Sequence, residues 1–257
     1  MKLIDTHTHL YLDEFQTDRD EVLQKAINAG IEKFYLPSID SSEADKLLDL
    51  EQKYHGICFA MIALHPCSIK ENYKDELAFV YNKLQKRKFA AIGETGLDFY
   101  WDKTFVTQQY ECFRTQIEWA LEYQLPVVLH TRNAMRETID VINEYIPRGL
   151  MGIFHCFSGT IAEAEEIIKA GFLLGIGGVL TYKNSGLAEV IKEIDIEHLV
   201  LETDAPYLSP VPFRGKRNES SYLTYIAQKL AEVKSISLEE VAVVTSANAE
   251  RLFGSSI

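Results

Sequence analysis

The feature that most constrains the fold is an alternation of short apolar runs with longer amphipathic stretches along the chain. Each run is nearly continuous in apolar residues, which is typical of strands buried on both faces in a parallel sheet that helices cover. We interpret eight runs as strands: Leu3–Ile4, Phe34–Leu36, Ile57–Leu64, Phe89–Ile92, Val127–Leu129, Gly152–Phe154, Phe172–Ile176 and Leu199–Leu201. Eight strands that alternate with helices predict a (β/α)₈ barrel of the α/β class, with a doubly wound sheet as the alternative.

Helix start and stop signals lie between these runs. A periodic stretch over Glu111–Tyr123 predicts one helix, and Thr160 precedes another. Ser237 and Glu240 have the spacing of a capping box for a last helix that runs toward Phe253. The chain of 257 residues has the length of one large α/β domain and shows no repeat, linker or low-complexity tract. We therefore predict a single domain over residues 1–257.

Composition limits the class of protein. Apolar and charged fractions of 47% and 25% are those of a soluble globular chain, and no apolar run is long enough for a membrane span or a signal peptide. These features predict a cytoplasmic protein. The net charge of −12 argues against coating of nucleic acid by the whole surface, but it leaves room for an enzyme that grips one strand end. The four cysteines include no CxxC pair, which disfavours a zinc knuckle.

Polar residues with metal-binding chemistry follow six of the predicted strands. His7 and His9 leave the first strand two positions apart, so their side chains point the same way and can share one ion. The other ends carry His65, Glu94, His130, His155 and Asp204. In a barrel the carboxyl ends of all strands face one mouth, where active sites are built. Imidazoles and two carboxylates that converge there predict a metal site, and one suited to two divalent ions.

The segments around these residues resemble a known family. DTHTHL, GETGLDFYW, PVVLHTR, FHCFSG, LVLETDAPYLSP and PFRGKRNES resemble, in order and context, motifs of the TatD family of metal-dependent deoxyribonucleases in the amidohydrolase superfamily. The resemblance runs from Asp5 to the closing NAERLFG. It implies a distorted (β/α)₈ barrel, a metal-dependent hydrolase of ester bonds, and 3′→5′ exonuclease activity on single-stranded DNA or DNA ends, with RNA as a further substrate.

The same resemblance implies a ligand set. The residues that match the family's metal ligands are His7, His9, Glu94, His130, His155 and Asp204. Glu94 is then the bridging carboxylate, shared by one ion on His7, His9 and Asp204 and a second on His130 and His155. Imidazoles favour Zn²⁺ and carboxylates accept Mg²⁺ or Mn²⁺, so all three metals stay open.

Catalytic roles follow from chemistry at these positions. Asp204 is the expected general base, because a carboxylate can hold an ion with one oxygen and a water with the other. His65 is expected to contact the scissile phosphate or a water beside it, and a structural histidine is the alternative. Glu202 is expected either to orient a ligand or to pair with a buried group.

Candidate substrate contacts lie beyond the ligands. Tyr100, followed by Trp101, could stack a terminal base, or the pair could pack on the barrel. Arg132 could take a phosphate with its planar fork, or form a salt bridge. The basic loop, which we define as residues 214–218, holds Arg214, Lys216 and Arg217 and is expected to bind phosphate unless it is only a solvated segment.

Three functions fit these observations. The leading hypothesis is a nuclease. The second is a hydrolase of another phosphoester, amide or ester, because barrel metal sites host many chemistries. The third is a metal-dependent binding protein without turnover, against which the intact ligand set argues. No obligate protein partner is inferred from the sequence.

Overall fold

The computed structural model describes residues 2–254, and each of the eight predicted strands is present in it. The strands are β1 (Leu3–Asp5), β2 (Ile31–Leu36), β3 (Cys58–Ala60), β4 (Ile92–Asp98), β5 (Val127–Arg132), β6 (Gly152–Phe154), β7 (Leu173–Ile176) and β8 (Leu199–Leu201). All strand pairs are parallel, and neighbours in sequence are neighbours in space within β1–β3 and within β4–β8.

Helices separate consecutive strands and form the outer layer. They are α1 (Arg19–Asn28), α2 (Ala44–Lys53), α3 (Tyr73–Leu84), α4 (Val106–Tyr123), α5 (Met135–Asn143), α6 (Ile161–Lys169), α7 (Leu187–Glu193), α8 (Leu223–Lys234) and α9 (Leu238–Phe253). Among residues 2–254, no helix combines the length and the apolar character that crossing a membrane requires.

Hydrogen bonds close the two groups of strands into a barrel. At one junction, Ile62, just beyond β3, forms a parallel bridge with Ile92 of β4. At the other, the backbone N–H and the hydroxyl of Thr6 both donate to Leu201 O of β8 at 3.0 Å. Because the strand order runs around the barrel and returns to β1, the doubly wound alternative is excluded and the predicted (β/α)₈ barrel is confirmed.

Side chains alternate between the two faces of the barrel wall. Val128 of β5 and Val200 of β8 belong to an inner cluster, whereas their neighbours in sequence pack outward against the helices. Ala249 and Phe253 of α9 join the inner cluster, where the Phe253 ring stacks on Tyr35 at 3.8 Å. The last helix therefore seals the end of the barrel that is opposite the mouth.

Several predicted boundaries were wrong. Within the predicted strand Ile57–Leu64, regular strand structure covers Cys58–Ala60 and a single further bridge forms at Ile62, and the strand predicted at Phe89–Ile92 lies at Ile92–Asp98. β4 extends beyond the apolar run into polar residues, and all seven of its residues are buried. Polar residues occur in this buried strand because its carboxyl end lies at the mouth, where a barrel places its functional groups. The helix predicted from Glu111 begins five residues earlier, at Val106.

Helix caps were predicted more accurately. Ser237 Oγ accepts a hydrogen bond from Glu240 N, which is one of the two bonds of the predicted capping box. Thr160 and Glu163 form a complete capping box at the start of α6, in which each side chain bonds to the backbone N–H of the other. These local bonds fix where α6 and α9 begin.

Candidate metal centre

The predicted ligands meet at the mouth of the barrel. His7 and His9 follow β1, and His155 and Asp204 follow β6 and β8, as predicted. Glu94 and His130 lie within β4 and β5 rather than after them. Each side chain is buried or half-buried, so the cluster lies at the base of the mouth and not on an open surface.

A β-bulge directs Glu94 into this cluster. The register between β4 and β5 shifts between Gly93 and Thr95, which leaves Glu94 without a partner in the ladder. A bulge of this kind turns one side chain away from the regular alternation. Gly96 then permits close pairing, because a Cβ at that position would lie 2.0 Å from His130 O. The strand can therefore carry a carboxylate inward without losing its contact with β5.

The two carboxylate oxygens of Glu94 face different histidines. Oε2 lies 3.2 Å from His7 Nε2 and 3.8 Å from His9 Nε2. Oε1 lies 2.8 Å from His130 Nδ1 and 3.8 Å from His155 Nε2. A carboxylate between two sets of imidazoles has the arrangement that bridging of two cations requires.

Asp204 completes the side of the cluster that His7 and His9 form. Its Oδ1 lies 3.8 Å from His7 Nε2, 3.6 Å from His9 Nε2 and 3.9 Å from His155 Nε2. The backbone of Asp204 adopts φ 56°, a left-handed conformation that is uncommon outside glycine and that concentrates at functional sites. Its N–H donates to His7 O at 2.9 Å, which fixes the residue against the end of β1.

Neighbouring side chains orient His9 and His130. Tyr11 Oη donates to Pro37 O at 2.7 Å and lies 3.1 Å from His9 Nδ1. Asp98 Oδ2 lies 2.8 Å from His130 Nε2. Metal-binding histidines commonly have a partner of this kind on the ring nitrogen that faces away from the ion.

Glu202 is the corresponding partner of His155. Its Oε1 lies 2.9 Å from His155 Nδ1, in ion-pair range but not aligned for a hydrogen bond, and it accepts one from Cys156 N at 2.6 Å. Burial opposes protonation of His155, but the charges of Glu202, Glu94 and Asp204 together outweigh it and raise the pKa of His155 to about 10. Gly175 leaves room for this carboxylate, because a Cβ there would lie 2.3 Å from Glu202 Oε2.

The residues present fit a divalent cation. Both ring nitrogens of His7 are buried without a hydrogen-bond partner among the described residues. Burial, together with the stacked ring of His155, lowers the pKa of His7, so its imidazole is neutral and has a free lone pair. Burial opposes ionisation of Glu94, but the histidines around it, His65 first, hold its pKa well below the usual range. A neutral imidazole beside ionised carboxylates is a donor set for a metal.

Comparison with known proteins agrees with this geometry. The sequence model that describes the TatD-related DNase family matches residues 4–254 of this chain. The chain belongs to this family. It is 39% identical to the uncharacterized metal-dependent hydrolase YabD of Bacillus subtilis, over 98% of each chain, and 32% identical to the 3′-5′ ssDNA/RNA exonuclease TatD of Erwinia amylovora, over 98% of this chain and 100% of the other.

A solved structure shares the architecture. The chain superimposes on the crystal structure of YjjV, a TatD homolog from Escherichia coli K12, with a TM-score of 0.92 and 29% identity over 98% of this chain and 97% of the other. These comparisons confirm the predicted membership of the TatD family. They also confirm the prediction of a metal-dependent hydrolase that acts on ester bonds.

His65 lies in the site of this TatD-related hydrolase. Its Nδ1 accepts a hydrogen bond from Cys67 N at 3.1 Å, so a neutral ring carries its proton on Nε2. Nε2 lies 3.4 Å from Glu94 Oε1. A nitrogen that carries a proton donates a hydrogen bond, so in this tautomer His65 acts as a donor beside the six candidate ligands.

Tyr100, Trp101 and Arg132 form an exposed group beside His130. The Arg132 guanidinium lies 4.0 Å from the centroid of the Tyr100 ring and 5.0 Å from that of Trp101. The two aromatic side chains are 50% and 67% exposed. Asp98 Oδ1 accepts hydrogen bonds from the backbone N–H groups of both aromatic residues, which ties this loop to the residue that contacts His130.

The three cations of the basic loop have different contacts in the structure. Arg217 donates to both carboxylate oxygens of Asp18, at 2.9 and 2.6 Å, and lies over the Phe15 ring. This guanidinium is therefore engaged in holding the loop against the start of α1. Lys216 is exposed, and the exposed Arg214 stacks on Tyr182 at 4.3 Å, a contact that leaves its N–H groups free.

Sequence reasoning missed two residues behind the ligands. Tyr11 is the partner of His9, and its position two residues after His9 in the sequence could have revealed it. Asp5 accepts hydrogen bonds from the backbone and the side chain of Thr203, and burial raises the pKa of Asp5 to about 7. These contacts fix the end of β1 against the segment that carries Asp204.

Proposed function

We propose that this family member is a 3′→5′ exonuclease that hydrolyses phosphodiester bonds at the ends of single-stranded DNA, with RNA as a second substrate. The observation that carries the proposal is the placement of Glu94, whose two oxygens face two separate groups of histidines. A relative that is 32% identical is named a 3′-5′ ssDNA/RNA exonuclease, which supports the same substrate class.

The proposed centre holds two divalent ions. His7, His9 and Asp204 would hold one and His130 with His155 the other, with Glu94 shared, and Zn²⁺, Mn²⁺ or Mg²⁺ would suit these donors. When bound, two such ions neutralise phosphate charge and lower the pKa of a bound water from about 15.7 toward about 7.

Protein groups supply the proton transfers. Asp204 is proposed as the general base, because the charges of the nearby histidines, His155 first, overcome its burial and keep its pKa low, so that it is ionised when the nucleophilic water must lose a proton. His65 Nε2–H is proposed to donate a hydrogen bond to a phosphate oxygen beside Glu94. Its distance of 3.4 Å from Glu94 Oε1 places the donor at the edge of the centre.

Substrate binding is proposed to use both sides of the mouth. Tyr100 and Trp101 would stack the terminal bases, with Arg132 offering its fork to a phosphate. Arg214 and Lys216 would bind phosphates further along the strand, where the acidic surface otherwise repels a polyanion. We assign no phosphate to Arg217, because Asp18 already holds its guanidinium.

A substrate panel tests the proposal with the purified chain alone. A 5′-labelled single-stranded DNA should shorten one nucleotide at a time with Mg²⁺, Mn²⁺ or Zn²⁺, and an oligonucleotide with a blocked 3′ end should resist. RNA of the same sequence measures the second substrate, and the Asp204→Asn protein controls for contaminating nucleases. Turnover of small phosphoesters, esters or amides with intact oligonucleotides would establish the alternative hydrolase instead.

A further inference from the structure

A second group of donors lies beside the proposed catalytic ions. His65, Cys67 and His130 each place one ligand atom within 4.8 Å of the others. Asp98 Oδ2 lies 2.8 Å from His130 Nε2, and the Asp98 carboxylate is close enough to the Cys67 thiol to act on it electrostatically. Two imidazoles and one thiol therefore lie around one point at the mouth of the barrel, with the Asp98 carboxylate beside His130, and only His130 is shared with the six candidate ligands.

We propose that His65, Cys67, Asp98 and His130 form a separate, inhibitory site for a soft divalent cation such as Zn²⁺ or Cd²⁺. Sulfur and imidazole ligands select soft or borderline cations, whereas Mg²⁺ and Mn²⁺ prefer oxygen. Four donors of this type match the tetrahedral coordination that zinc takes in proteins. The site rests on the proposed function only in its effect on turnover, because binding of the cation depends on these four residues alone.

A bound cation can replace the proton of the Cys67 thiol. A cysteine thiol without a nearby metal ion ordinarily carries its proton at neutral pH. Binding of a soft cation displaces that proton, so one proton is released for each thiolate–metal bond formed. Cys67 is only half-buried, and a small cation can reach it from the mouth.

Inhibition follows from the position of His130. In the described structure His130 joins Glu94 through Nδ1 and Asp98 through Nε2, at 2.8 Å each. A cation bound to Cys67 and Asp98 would take Nε2 of this ring and replace the carboxylate that orients it. His65 would also lose its freedom to donate toward Glu94. One ion at this site would thus disable two residues of the proposed catalytic centre.

Cadmium titration provides the test, because a cadmium–thiolate bond has its own ultraviolet charge-transfer band. The wild-type chain loaded with Mn²⁺ is titrated with Cd²⁺, with the band and oligonucleotide cleavage measured on the same samples. Cys67→Ser and Cys67→Ala remove the sulfur, and Cys112→Ser, in the core on α4, is the matched control. Cys156→Ser tests the other thiol that lies beside a candidate ligand.

We expect the band and the inhibition to disappear together in both Cys67 variants and to persist in the Cys112 and Cys156 variants. The Cd²⁺ concentration for half-inhibition should rise at least about tenfold without the sulfur, while activity with Mn²⁺ alone is unchanged. A band that survives in the Cys67 variants, or a Cys67→Ser protein that loses Mn²⁺-dependent activity, would overturn the proposal. Absence of nuclease activity in the wild type would count against the proposed function only, since the band is measured without turnover.

Discussion

Replacing Tyr11 by Phe removes one oxygen that controls the proton of His9. Because Tyr11 Oη donates to Pro37 O at 2.7 Å, its lone pair is available to accept from His9 Nδ1–H at 3.1 Å. That bond keeps the proton on Nδ1 and leaves Nε2 free, facing Asp204 Oδ1 at 3.6 Å and Glu94 Oε2 at 3.8 Å. The Phe ring keeps the packing, so the change isolates the oxygen.

The size of the effect follows from these two bonds. Loss of the partner of a metal-binding histidine lowers metal affinity by about 10–100-fold, which corresponds to about 1.4–2.7 kcal/mol. Two lost hydrogen bonds at about 0.5–1.5 kcal/mol each also lower the free energy of unfolding of the metal-free protein by about 1–3 kcal/mol. The loss of metal affinity should therefore be accompanied by a modest loss of stability.

The assay compares metal affinity, by competition with a chromogenic chelator, with urea unfolding of the metal-free protein. Tyr35→Phe is the matched control, since Tyr35 is also buried but stacks on Phe253 at the sealed end of the barrel. The control should leave metal affinity unchanged. Equal metal affinity in wild type and Tyr11→Phe would refute the inference that Tyr11 sets the proton position of His9.

Four further predictions concern the proposed centre and the basic loop. Asp204→Asn should lower kcat by about 10²–10⁴-fold with an unchanged circular dichroism spectrum. If the variant keeps about a tenth or more of the wild-type kcat, Asp204 is not the general base. His65→Ala should lower kcat while metal analysis finds the full complement; loss of one equivalent would make His65 a ligand. Exhaustive chelation should abolish turnover and re-addition of metal should restore it, whereas turnover at zero measured metal would contradict the metal mechanism. Combined Arg214→Ala and Lys216→Ala should reduce the salt dependence of oligonucleotide binding by about 0.7 per lost contact, and Arg217→Ala should lower the melting temperature without changing that slope.

The existence of the strands could be predicted from the sequence, but their ends could not. Runs such as Val127–Leu129 are buried on both faces, so hydrophobicity alone marks them. β4 carries Glu94, Thr95 and Asp98 inside a buried strand, and its bulge depends on pairing with β5. Local composition contains no signal for such pairing, so Glu94 and His130 were placed after strands that in fact contain them.

The ligands of the site were easier to predict than the groups that support them. His7 and His9 are two residues apart, and that spacing alone brings their side chains together. The contact between Arg217 and Asp18 joins residues that are 199 positions apart, so only the closed barrel reveals that this cation is already paired. Local spacing therefore predicted that side chains near in sequence lie together, as His7 and His9 do, but not the contacts between distant segments.

The junction between β1 and β8 has a consequence for biosynthesis. It joins Thr6 to Leu201, which are 195 residues apart, and Asp204 bonds to His7 beside it. At about 5–20 residues per second, a ribosome makes these two strands tens of seconds apart. An emerging chain presents His7 and His9 first, and the proposed ligand set is complete only when Asp204, which follows β8, has been made. If the proposed centre is correct, binding of its full complement of metal would therefore mark a molecule whose synthesis has passed β8.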